Sequence, residues 1–320
     1  MDPSPRIVFL DRDTTDAGDI DLGGIEALGV LETYGMTRPD ETAERISGAN
    51  IVLSNKVVIG AAEMDAATGL RLIQVVATGV NNVDLEAARE RDVAVCNVSG
   101  YSTPSVAQHV FAFLLNHATK VDRYTAEPEK WAESPIFTRL DHPVFEWAGK
   151  TLGIAGLGTI GREVASIGRA FGMRVVALAR EGAGESGGIE RLPRERFFAE
   201  SDAITLHCPL TPDTHHLINA DTLDLMRPQA ILVNTGRGDL VAENDLLDAL
   251  ERGSIAAAYV DVLSQEPPSP GHPFVTDPPP NLFVTPHTAW SSLEARRRLI
   301  DGVVRNITAF LRGERENRVD

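Results

Sequence analysis

A glycine-rich hexapeptide lies between apolar segments near the middle of the chain. Gly156-Leu157-Gly158-Thr159-Ile160-Gly161 follows the apolar run Thr151–Ala155, and the next segments predict a helix, Arg162–Phe171, and a strand, Arg174–Ala179. This order of strand, tight turn, helix and strand is the setting in which a GxGxxG sequence binds a dinucleotide.

Each glycine of the hexapeptide has its own predicted task. Gly156 allows the tight turn, Gly158 lets the backbone approach a pyrophosphate, and Gly161 lets the helix and strand pack closely. The N-terminus of the following helix adds N–H groups and a partial positive charge for the phosphates. A lone GxGxxG is also found as an ordinary turn, so the flanking strands are what favour dinucleotide binding.

Three ionisable residues each come after a predicted strand in the C-terminal half. Arg237 follows Ala230–Asn234, Glu266 follows Ala256–Val260, and His287 follows Leu282–Thr285. Open α/β sheets bind ligands outside the carboxyl ends of their strands. We therefore expect the three side chains to reach one crevice.

Together these residue types match the needs of hydride transfer to a 2-keto acid. A planar guanidinium binds a carboxylate and polarises a carbonyl, and a histidine donates a proton near neutral pH. A carboxylate beside the histidine holds its tautomer and stabilises the imidazolium. Taken singly, Arg237 is also typical of a turn, Glu266 of a helix end and His287 of a structural histidine. The prediction depends on their joint presence behind a dinucleotide-binding segment.

The surrounding segments predict two α/β domains within 320 residues. In the second, six strands alternate with helices, as in a doubly wound parallel sheet. These strands are Thr151–Ala155, Arg174–Ala179, Ala203–His207, Ala230–Asn234, Ala256–Val260 and Leu282–Thr285. The first hundred residues contain four more runs of strand length, at Arg6–Leu10, Asn50–Ser54, Leu72–Val76 and Val93–Asn97.

The connection between these domains contains an unusually long irregular segment. Ser105–Ala118 predicts a largely apolar helix, opened by Ser102-Thr103-Pro104. Glu127–Lys150, which follows, is rich in Pro, Trp and Phe. Because a loop of this length is uncommon in a compact domain without a function, we expect an arm that contacts the second subunit of a homodimer.

Composition argues against several kinds of partner. The net charge of −16 disfavours nucleic acid, and no apolar run approaches the roughly 20 residues that span a bilayer. The N-terminus lacks the basic and apolar regions of a signal peptide. Cys96 and Cys208 lie in or just after apolar runs, which favours buried free thiols over a disulfide. These features predict a cytoplasmic protein without a nucleic-acid or membrane partner.

The chain resembles the D-2-hydroxyacid dehydrogenase family throughout, and within it the bacterial glycerate dehydrogenases and hydroxypyruvate reductases. The resemblance is carried by the hexapeptide, by the three segments that contain Arg237, Glu266 and His287, and by Ala77–Asp84, Tyr101–Ala107 and His207–Thr211. It implies that Arg237, Glu266 and His287 are the catalytic set.

The resemblance also implies ligand contacts. The backbone N–H groups of Thr78, Gly79 and Val80 would hold the substrate carboxylate, with a further contact at Asn55. The alternative for the loop is an ordinary glycine turn, and the alternative for Asn55-Lys56 is a solvated Lys56. Thr103 and Asp261 would lie near the nicotinamide, although Thr103 is alternatively a helix cap. Further cofactor contacts are implied at Cys208, Pro209, Thr214, Thr235, Gly236 and Ala289, and no metal site is implied. Trp131 in the arm would contact a neighbouring active site, a second subunit or the core.

The family's topology implies two Rossmann-like or flavodoxin-like domains with a cleft between them that closes on substrate. Residues 1–100 with 290–320 would form the substrate-binding domain, and residues 101–289 the inserted dinucleotide-binding domain.

The cofactor prediction depends on the end of the strand after the hexapeptide. NAD-preferring members carry an acidic residue at the position of Ala179, where it binds the ribose 2′-hydroxyl. Arg180 instead suits a 2′-phosphate, so the sequence favours NADP over NAD. The alternative is an exposed Arg180 with NAD bound.

The resulting prediction is an NAD(P)-dependent enzyme that reduces a small 2-keto acid, with His287 as acid and base. Hydroxypyruvate to D-glycerate is the first choice and glyoxylate to glycolate the second. The alternatives are a 3-phosphoglycerate-type dehydrogenase without a regulatory domain and an NAD(H)-sensing, corepressor-like binding protein.

Overall fold

Two parallel β-sheets organise the chain in the computed structural model, which describes residues 4–180, 182 and 187–320. One compact unit consists of the residues up to Ser102 together with Trp290–Asp320, and the other of Thr103–Ala289. Every strand pair in both sheets is parallel. The predicted α/β class with two parallel sheets is confirmed.

The first unit is built from five short strands and the helices between them. The strands are β1 (Arg6–Phe9), β2 (Val30–Thr33), β3 (Ile51–Ser54), β4 (Leu72–Val75) and β5 (Ala94–Cys96). The helices are α1 (Gly23–Glu26), α2 (Thr42–Ile46), α3 (Ala61–Ala66) and α4 (Leu85–Glu90), with 3₁₀ turns at Arg12–Thr14 and Pro39–Glu41. The strand order, β2-β1-β3-β4-β5, is the flavodoxin-like order.

In its described residues, the second unit has seven strands, where the sequence predicts six. They are β6 (Thr151–Ala155), β7 (Arg174–Leu178), β8 (Glu190–Leu192), β9 (Ala203–Leu206), β10 (Ile231–Asn234), β11 (Ala257–Val260) and β12 (Leu282–Val284). Their order, β12-β11-β10-β9-β6-β7-β8, is the Rossmann order with one more strand beyond the sixth. The strand that the sequence did not predict, β8, lies at one lateral edge of the sheet.

Helices of the second unit cover both faces of its sheet. They are α5 (Thr103–Thr119), α6 (Val121–Ala126), α7 (Glu129–Ala132), α8 (Thr159–Ala170), α9 (Arg194–Glu200), α10 (Ala220–Asp224), α11 (Glu243–Glu251) and α12 (Pro273–Thr276), with a 3₁₀ turn at Gly238–Leu240. Val110 of α5 and Val164 of α8 share one core with Ile154, while Phe197 of α9 shares the other with Leu206.

The C-terminal helix α13 (Leu293–Leu311) belongs to the first unit. Its Leu299 and Val303 share a core with Phe9 of β1, whereas Val8 of the same strand shares a core with Ile46 of α2. Successive strand residues therefore pack against helices on opposite faces, which makes this sheet doubly wound too.

Two further expectations concern membranes and thiols. In the described part of the chain, no helix is both long and apolar enough to cross a membrane. Both cysteines are free, as predicted; Cys96 is buried, and Cys208 is only half-buried.

Candidate active site

The carboxyl ends of three neighbouring strands carry the three residues of the predicted catalytic set. β10, β11 and β12 lie side by side in the second sheet, and Arg237, Glu266 and His287 are on the loops that follow them. Because these strands are parallel, the three loops leave the sheet at the same edge.

His287 and Glu266 form a close pair. Nδ1 of His287 lies 2.6 Å from Oε2 of Glu266, and each side chain is 32% exposed. The other carboxylate oxygen, Oε1, accepts a hydrogen bond of 3.0 Å from the backbone N–H of Leu263. Both oxygens of Glu266 are thus engaged. With a carboxylate at Nδ1, Nε2 is the ring nitrogen that can meet a reacting group.

Asp261 holds the turn that carries His287. Its buried carboxylate accepts hydrogen bonds of 2.8 Å from the N–H groups of Thr288 and Ala289, and one from the hydroxyl of Thr285. Its carbonyl oxygen accepts the N–H of His287 at 2.8 Å. His287 has a φ of +53°, a conformation that is uncommon for residues other than glycine. Asp261, expected to contact the cofactor, is therefore also a structural support for this histidine.

Arg237 is exposed and precedes the 3₁₀ turn Gly238–Leu240. Its guanidinium donates a hydrogen bond of 2.7 Å to the carbonyl of Gly236, and a guanidinium has five N–H donors in all. A Cβ atom built on Gly238 would lie 1.9 Å from the carbonyl carbon of Leu263. The loops after β10 and β11 therefore meet backbone to backbone, directly beside Arg237.

The three glycines of the hexapeptide have different surroundings. Gly156 has a φ of +105°, and a Cβ there would lie 2.4 Å from the backbone nitrogen of Cys208. A Cβ on Gly161 would lie 2.0 Å from the carbonyl oxygen of Gly156. Within the described residues, no atom lies within 4 Å of a Cβ on Gly158, the N-cap of α8. An open backbone at a helix N-terminus is what a pyrophosphate requires.

Two threonines in the predicted cofactor set have unsatisfied hydroxyl groups. The Oγ1 atoms of Thr103 and Thr235 are buried and have no hydrogen-bond partner among the residues that the structure describes. A buried hydroxyl without a partner costs free energy unless a ligand or water binds it. Together with the open backbone at Gly158, these atoms make the second unit a suitable site for a dinucleotide.

Thr159 and Ile160 are the first two residues of α8, and the remaining predicted cofactor residues lie in loops at the carboxyl end of the sheet. The Thr214 hydroxyl donates to the carbonyl of Pro209 at 2.7 Å, so it stabilises the turn after β9 and Cys208. The N–H of Gly236 donates to Asn234 Oδ1 at 3.0 Å, and the carbonyl of Ala289 accepts the hydroxyl of Ser105 at 2.7 Å. Ala179 and Arg180 are exposed just after β7.

The predicted substrate residues belong to the first unit. Asn55 is buried, and its amide donates to Thr14 Oγ1 at 3.0 Å. The Thr78 hydroxyl donates to the carbonyl of Val98 at 2.9 Å. In this described part of the chain, the backbone N–H groups of Thr78, Gly79 and Val80 make no hydrogen bond, as expected of a loop that holds an anion.

Asp11 is a residue that the sequence interpretation missed. This fully buried carboxylate accepts backbone N–H bonds from Asn55 at 2.9 Å, Lys56 at 2.6 Å and Val57 at 3.2 Å. Burial raises the pKa of the Asp11 carboxyl, against the opposing effect of these bonds. Its place at the carboxyl end of the first predicted strand would have been a signal, because its partners lie at the end of the next strand in the sheet, β3.

Two further histidines of the second unit were not predicted as site residues. His109 Nε2 lies 3.2 Å from Thr285 Oγ1 and 3.7 Å from Asp261 Oδ1, and burial lowers the pKa of His109. His207 Nε2 lies 2.9 Å from Thr205 Oγ1, and burial lowers the pKa of His207 to about 4. Burial thereby biases both rings towards the neutral form. His207 directly follows a predicted strand, whereas His109 lies on α5 without a sequence signal.

Trp131 is not a core residue of the chain. Its side chain is 62% exposed, and Nε1 donates to the carbonyl of Phe137 at 3.0 Å. The alternative of core packing for Trp131 is therefore wrong, and the two alternatives that involve a second subunit remain.

One family model matches residues 111–289, and it describes the NAD binding domain of D-isomer specific 2-hydroxyacid dehydrogenases. A glycerate dehydrogenase from Methylorubrum extorquens is 39% identical over 317 residues, which cover 98% of this chain and 99% of that protein. A hydroxypyruvate reductase from Blautia hydrogenotrophica is 36% identical over 322 residues, with 98% of this chain and 99% of that protein covered.

A solved structure shows a similar fold. It is an NADPH-dependent glyoxylate/hydroxypyruvate reductase from Sinorhizobium meliloti in complex with NADP and malonate. The two chains are 26% identical and superpose with a TM-score of 0.81 over 99% of this chain and 97% of that one.

Proposed function

Since the chain belongs to the family of D-isomer specific 2-hydroxyacid dehydrogenases, we propose that His287 is the acid and base of its reaction, paired with Glu266 and assisted by Arg237. The enzyme reduces small 2-keto acids with a nicotinamide cofactor. The observation that carries the proposal is the 2.6 Å contact between His287 Nδ1 and Glu266 Oε2. Their loops follow neighbouring strands, beside the strand that precedes Arg237.

Each residue of the proposed catalytic set has its own role in the reduction. When bound, the reduced nicotinamide supplies the hydride that the carbonyl carbon receives. His287 donates a proton from Nε2 to the keto oxygen, while Glu266 at Nδ1 orients the ring and stabilises its positive charge. Arg237 binds the carboxylate and polarises the carbonyl. One hydride and one proton are consumed for each hydroxy acid formed, and the reverse reaction returns the proton to His287.

Replacement of His287 tests this assignment. His287→Ala should lower kcat by several orders of magnitude while cofactor binding, followed by fluorescence, stays unchanged, because the ring acts on the substrate. His215→Ala is the matched control, since His215 is an exposed histidine of the same unit. Near-normal turnover by His287→Ala would exclude His287 as the acid.

Replacement of Glu266 tests whether its negative charge supports His287 as the proton donor. In Glu266→Gln, the alkaline limb of the pH–rate profile for reduction should move to lower pH, because a carboxylate next to an imidazole favours its charged form. A profile that stays in place would show that Glu266 does not support the proton donor electrostatically.

We assign substrate binding to the first unit and cofactor binding to the second. The loop N–H groups of Thr78, Gly79 and Val80, which make no hydrogen bond in the described residues, support a carboxylate-binding role in the first unit. In the second unit, the open backbone at Gly158 and the unsatisfied hydroxyls of Thr103 and Thr235 support a dinucleotide.

Hydroxypyruvate is our first choice of substrate and glyoxylate the second, supported by the activities for which the similar proteins are named. The test follows nicotinamide absorbance with hydroxypyruvate, glyoxylate, pyruvate and 3-phosphohydroxypyruvate. The highest kcat/KM should be that for hydroxypyruvate. A preference for 3-phosphohydroxypyruvate would select the phosphoglycerate-type alternative, and peptide binding without any turnover would select the corepressor-like one.

NADP(H) is the cofactor that we favour over NAD(H). An exposed arginine, Arg180, follows β7, and Ala179 leaves no carboxylate for a ribose 2′-hydroxyl. Separate titrations should give the larger kcat/KM with NADPH. A tenfold preference for NADH would refute this choice.

A homodimer is the assembly that the arm favours. Phe137 is 89% exposed and Leu140 76%, and Trp131 lies in the same segment. Exposed apolar side chains grouped in this way are typical of an interaction site. The cytoplasm is our proposed compartment, supported by the two free thiols.

A further inference from the structure

Glu243 is a half-buried carboxylate that the proposed reaction does not use. It is the first residue of α11, and its side chain is 17% exposed. Oε1 accepts a hydrogen bond of 2.9 Å from the backbone N–H of Ser264, and Oε2 lies 3.0 Å from Nε2 of His272. Glu243 therefore links the start of α11 to the loop after β11.

His272 fixes the orientation of the Glu243 carboxylate. His272 is the N-cap of α12, and its Nδ1 accepts the backbone N–H of Phe274 at 3.3 Å. Because Nδ1 acts as an acceptor, the ring proton is assigned to Nε2, which donates to Glu243. With both oxygens bonded, Glu243 has little freedom to rotate.

The peptide that Glu243 binds adjoins the one that orients Glu266, because the two peptides share the Cα atom of Leu263. The N–H of Leu263, the residue before Ser264, donates to Glu266 Oε1 at 3.0 Å. On its other side, the Leu263–Ser264 peptide lies against Gly238, where an added Cβ would be 1.9 Å from the Leu263 carbonyl carbon and 2.2 Å from the Ser264 nitrogen. The hydrogen bond to Glu243 and the contact with Gly238 thus hold this peptide from two directions.

We propose that Glu243, held by His272, is a positioning residue for proton transfer. It holds the Leu263–Ser264 peptide and so fixes Leu263, whose N–H sets the direction in which the Glu266 carboxylate meets His287. The inference depends on the proposed roles of Glu266 and His287, and it goes beyond them by adding a group that touches neither substrate nor cofactor.

The test compares Glu243→Ala with a matched control on the same helix turn. Asp245 is also an acidic residue in the first turn of α11, and it also accepts one backbone N–H bond, from Ala220 at 2.8 Å. Asp245→Ala therefore removes the same kind of charge and bond without touching the Glu266 loop. Glu243→Gln serves if Glu243→Ala folds poorly, because an amide oxygen can satisfy only one of the two partners.

The readout is the pH–rate profile of keto-acid reduction. In Glu266→Gln, the alkaline limb should move to lower pH. Glu243→Ala should move it in the same direction by a smaller amount and lower kcat more than it raises KM, whereas Asp245→Ala should leave the profile in place. The double variant Glu243→Ala/Glu266→Gln should move the limb no further than Glu266→Gln alone, because both changes act on one pair.

Backbone hydrogen exchange is a second readout that needs no turnover. Exchange in residues 261–268 should be faster in Glu243→Ala than in wild type and unchanged in Asp245→Ala. If Glu266→Gln moves the pH profile but Glu243→Ala and Glu243→Gln do not, the positioning role is wrong and the proposed function stands. If Glu266→Gln itself leaves the profile in place, it is the proposed role of Glu266 that fails.

Discussion

Two glycines of the hexapeptide should respond to the same substitution in opposite ways. Gly158→Ala should weaken cofactor binding and leave the stability of the protein unchanged. Gly161→Ala should destabilise the protein. The difference follows from what a new methyl group meets at each position.

At Gly161 the methyl group meets the backbone. The Cβ would lie 2.0 Å from the carbonyl oxygen of Gly156 and 3.2 Å from Cγ2 of Ile154. Because carbon atoms normally approach other heavy atoms no closer than about 3.5 Å, the turn or helix α8 has to move by more than about 1 Å. Overpacking of this kind costs about 1–3 kcal/mol.

At Gly158 the methyl group enters open space. Among the described residues nothing lies within 4 Å of it, and φ of −75° with ψ of −163° suits alanine. The free energy of unfolding should therefore change by less than about 0.5 kcal/mol. The same space is the one that we assign to the pyrophosphate, so the Kd for the cofactor should rise about tenfold or more, which is about 1.4 kcal/mol.

Urea unfolding of the cofactor-free protein and a fluorescence titration with NADPH measure the two effects. Gly271→Ala is the control, because no described atom lies within 4 Å of a Cβ there either and its φ is not left-handed; both quantities should stay unchanged. An unchanged Kd in Gly158→Ala would refute the placement of the pyrophosphate. An unchanged unfolding midpoint in Gly161→Ala would refute the close packing at Gly156.

Three other substitutions test separate parts of the molecule. Arg180→Gln should weaken NADPH binding roughly tenfold or more and leave NADH binding unchanged, since a charge-assisted hydrogen bond contributes about 1.5–3 kcal/mol. The control is Arg196→Gln, which breaks an exposed ion pair with Glu200. An equal loss of affinity for both cofactors in Arg180→Gln would contradict the assignment. Phe137→Ser should shift the mass measured by light scattering from that of a dimer towards that of a monomer. The control, Val58→Ser at an exposed position of the first unit, should not change the mass. A dimer unaffected by Phe137→Ser would count against the arm as the dimer interface. Burial lowers the pKa of His117 to about 4, so the unfolded chain takes up a proton there that the folded protein does not. Stability is therefore lost as pH falls from about 6.5 to 4, by at most about 3 kcal/mol. His117→Asn should reduce this slope in urea unfolding, and an unchanged slope would contradict the buried neutral state.

Local patterns were sufficient to predict ten of the twelve strands in the described part of the chain. They also predicted that the catalytic set lies at the carboxyl end of the second sheet. Buried parallel strands are continuous apolar runs, and their order along the chain places the residues that follow them at one edge. The two missed strands, Val30–Thr33 and Glu190–Leu192, lie at sheet edges and are partly exposed. Their residues lack that apolar pattern, and only pairing with a neighbouring strand defines them.

The residues that hold the candidate site in place do so through contacts between distant parts of the chain, which no local sequence pattern shows. Glu266, His287 and the glycines of the hexapeptide could be named from residue type and position, because each lies next to a strand. Asp261 as the holder of the histidine turn, Asp11 under the Asn55 loop and Glu243 beside the Glu266 loop could not. Their partners are 21 to 46 residues away along the chain. A carboxylate meets such partners only once the sheet has brought the loops together.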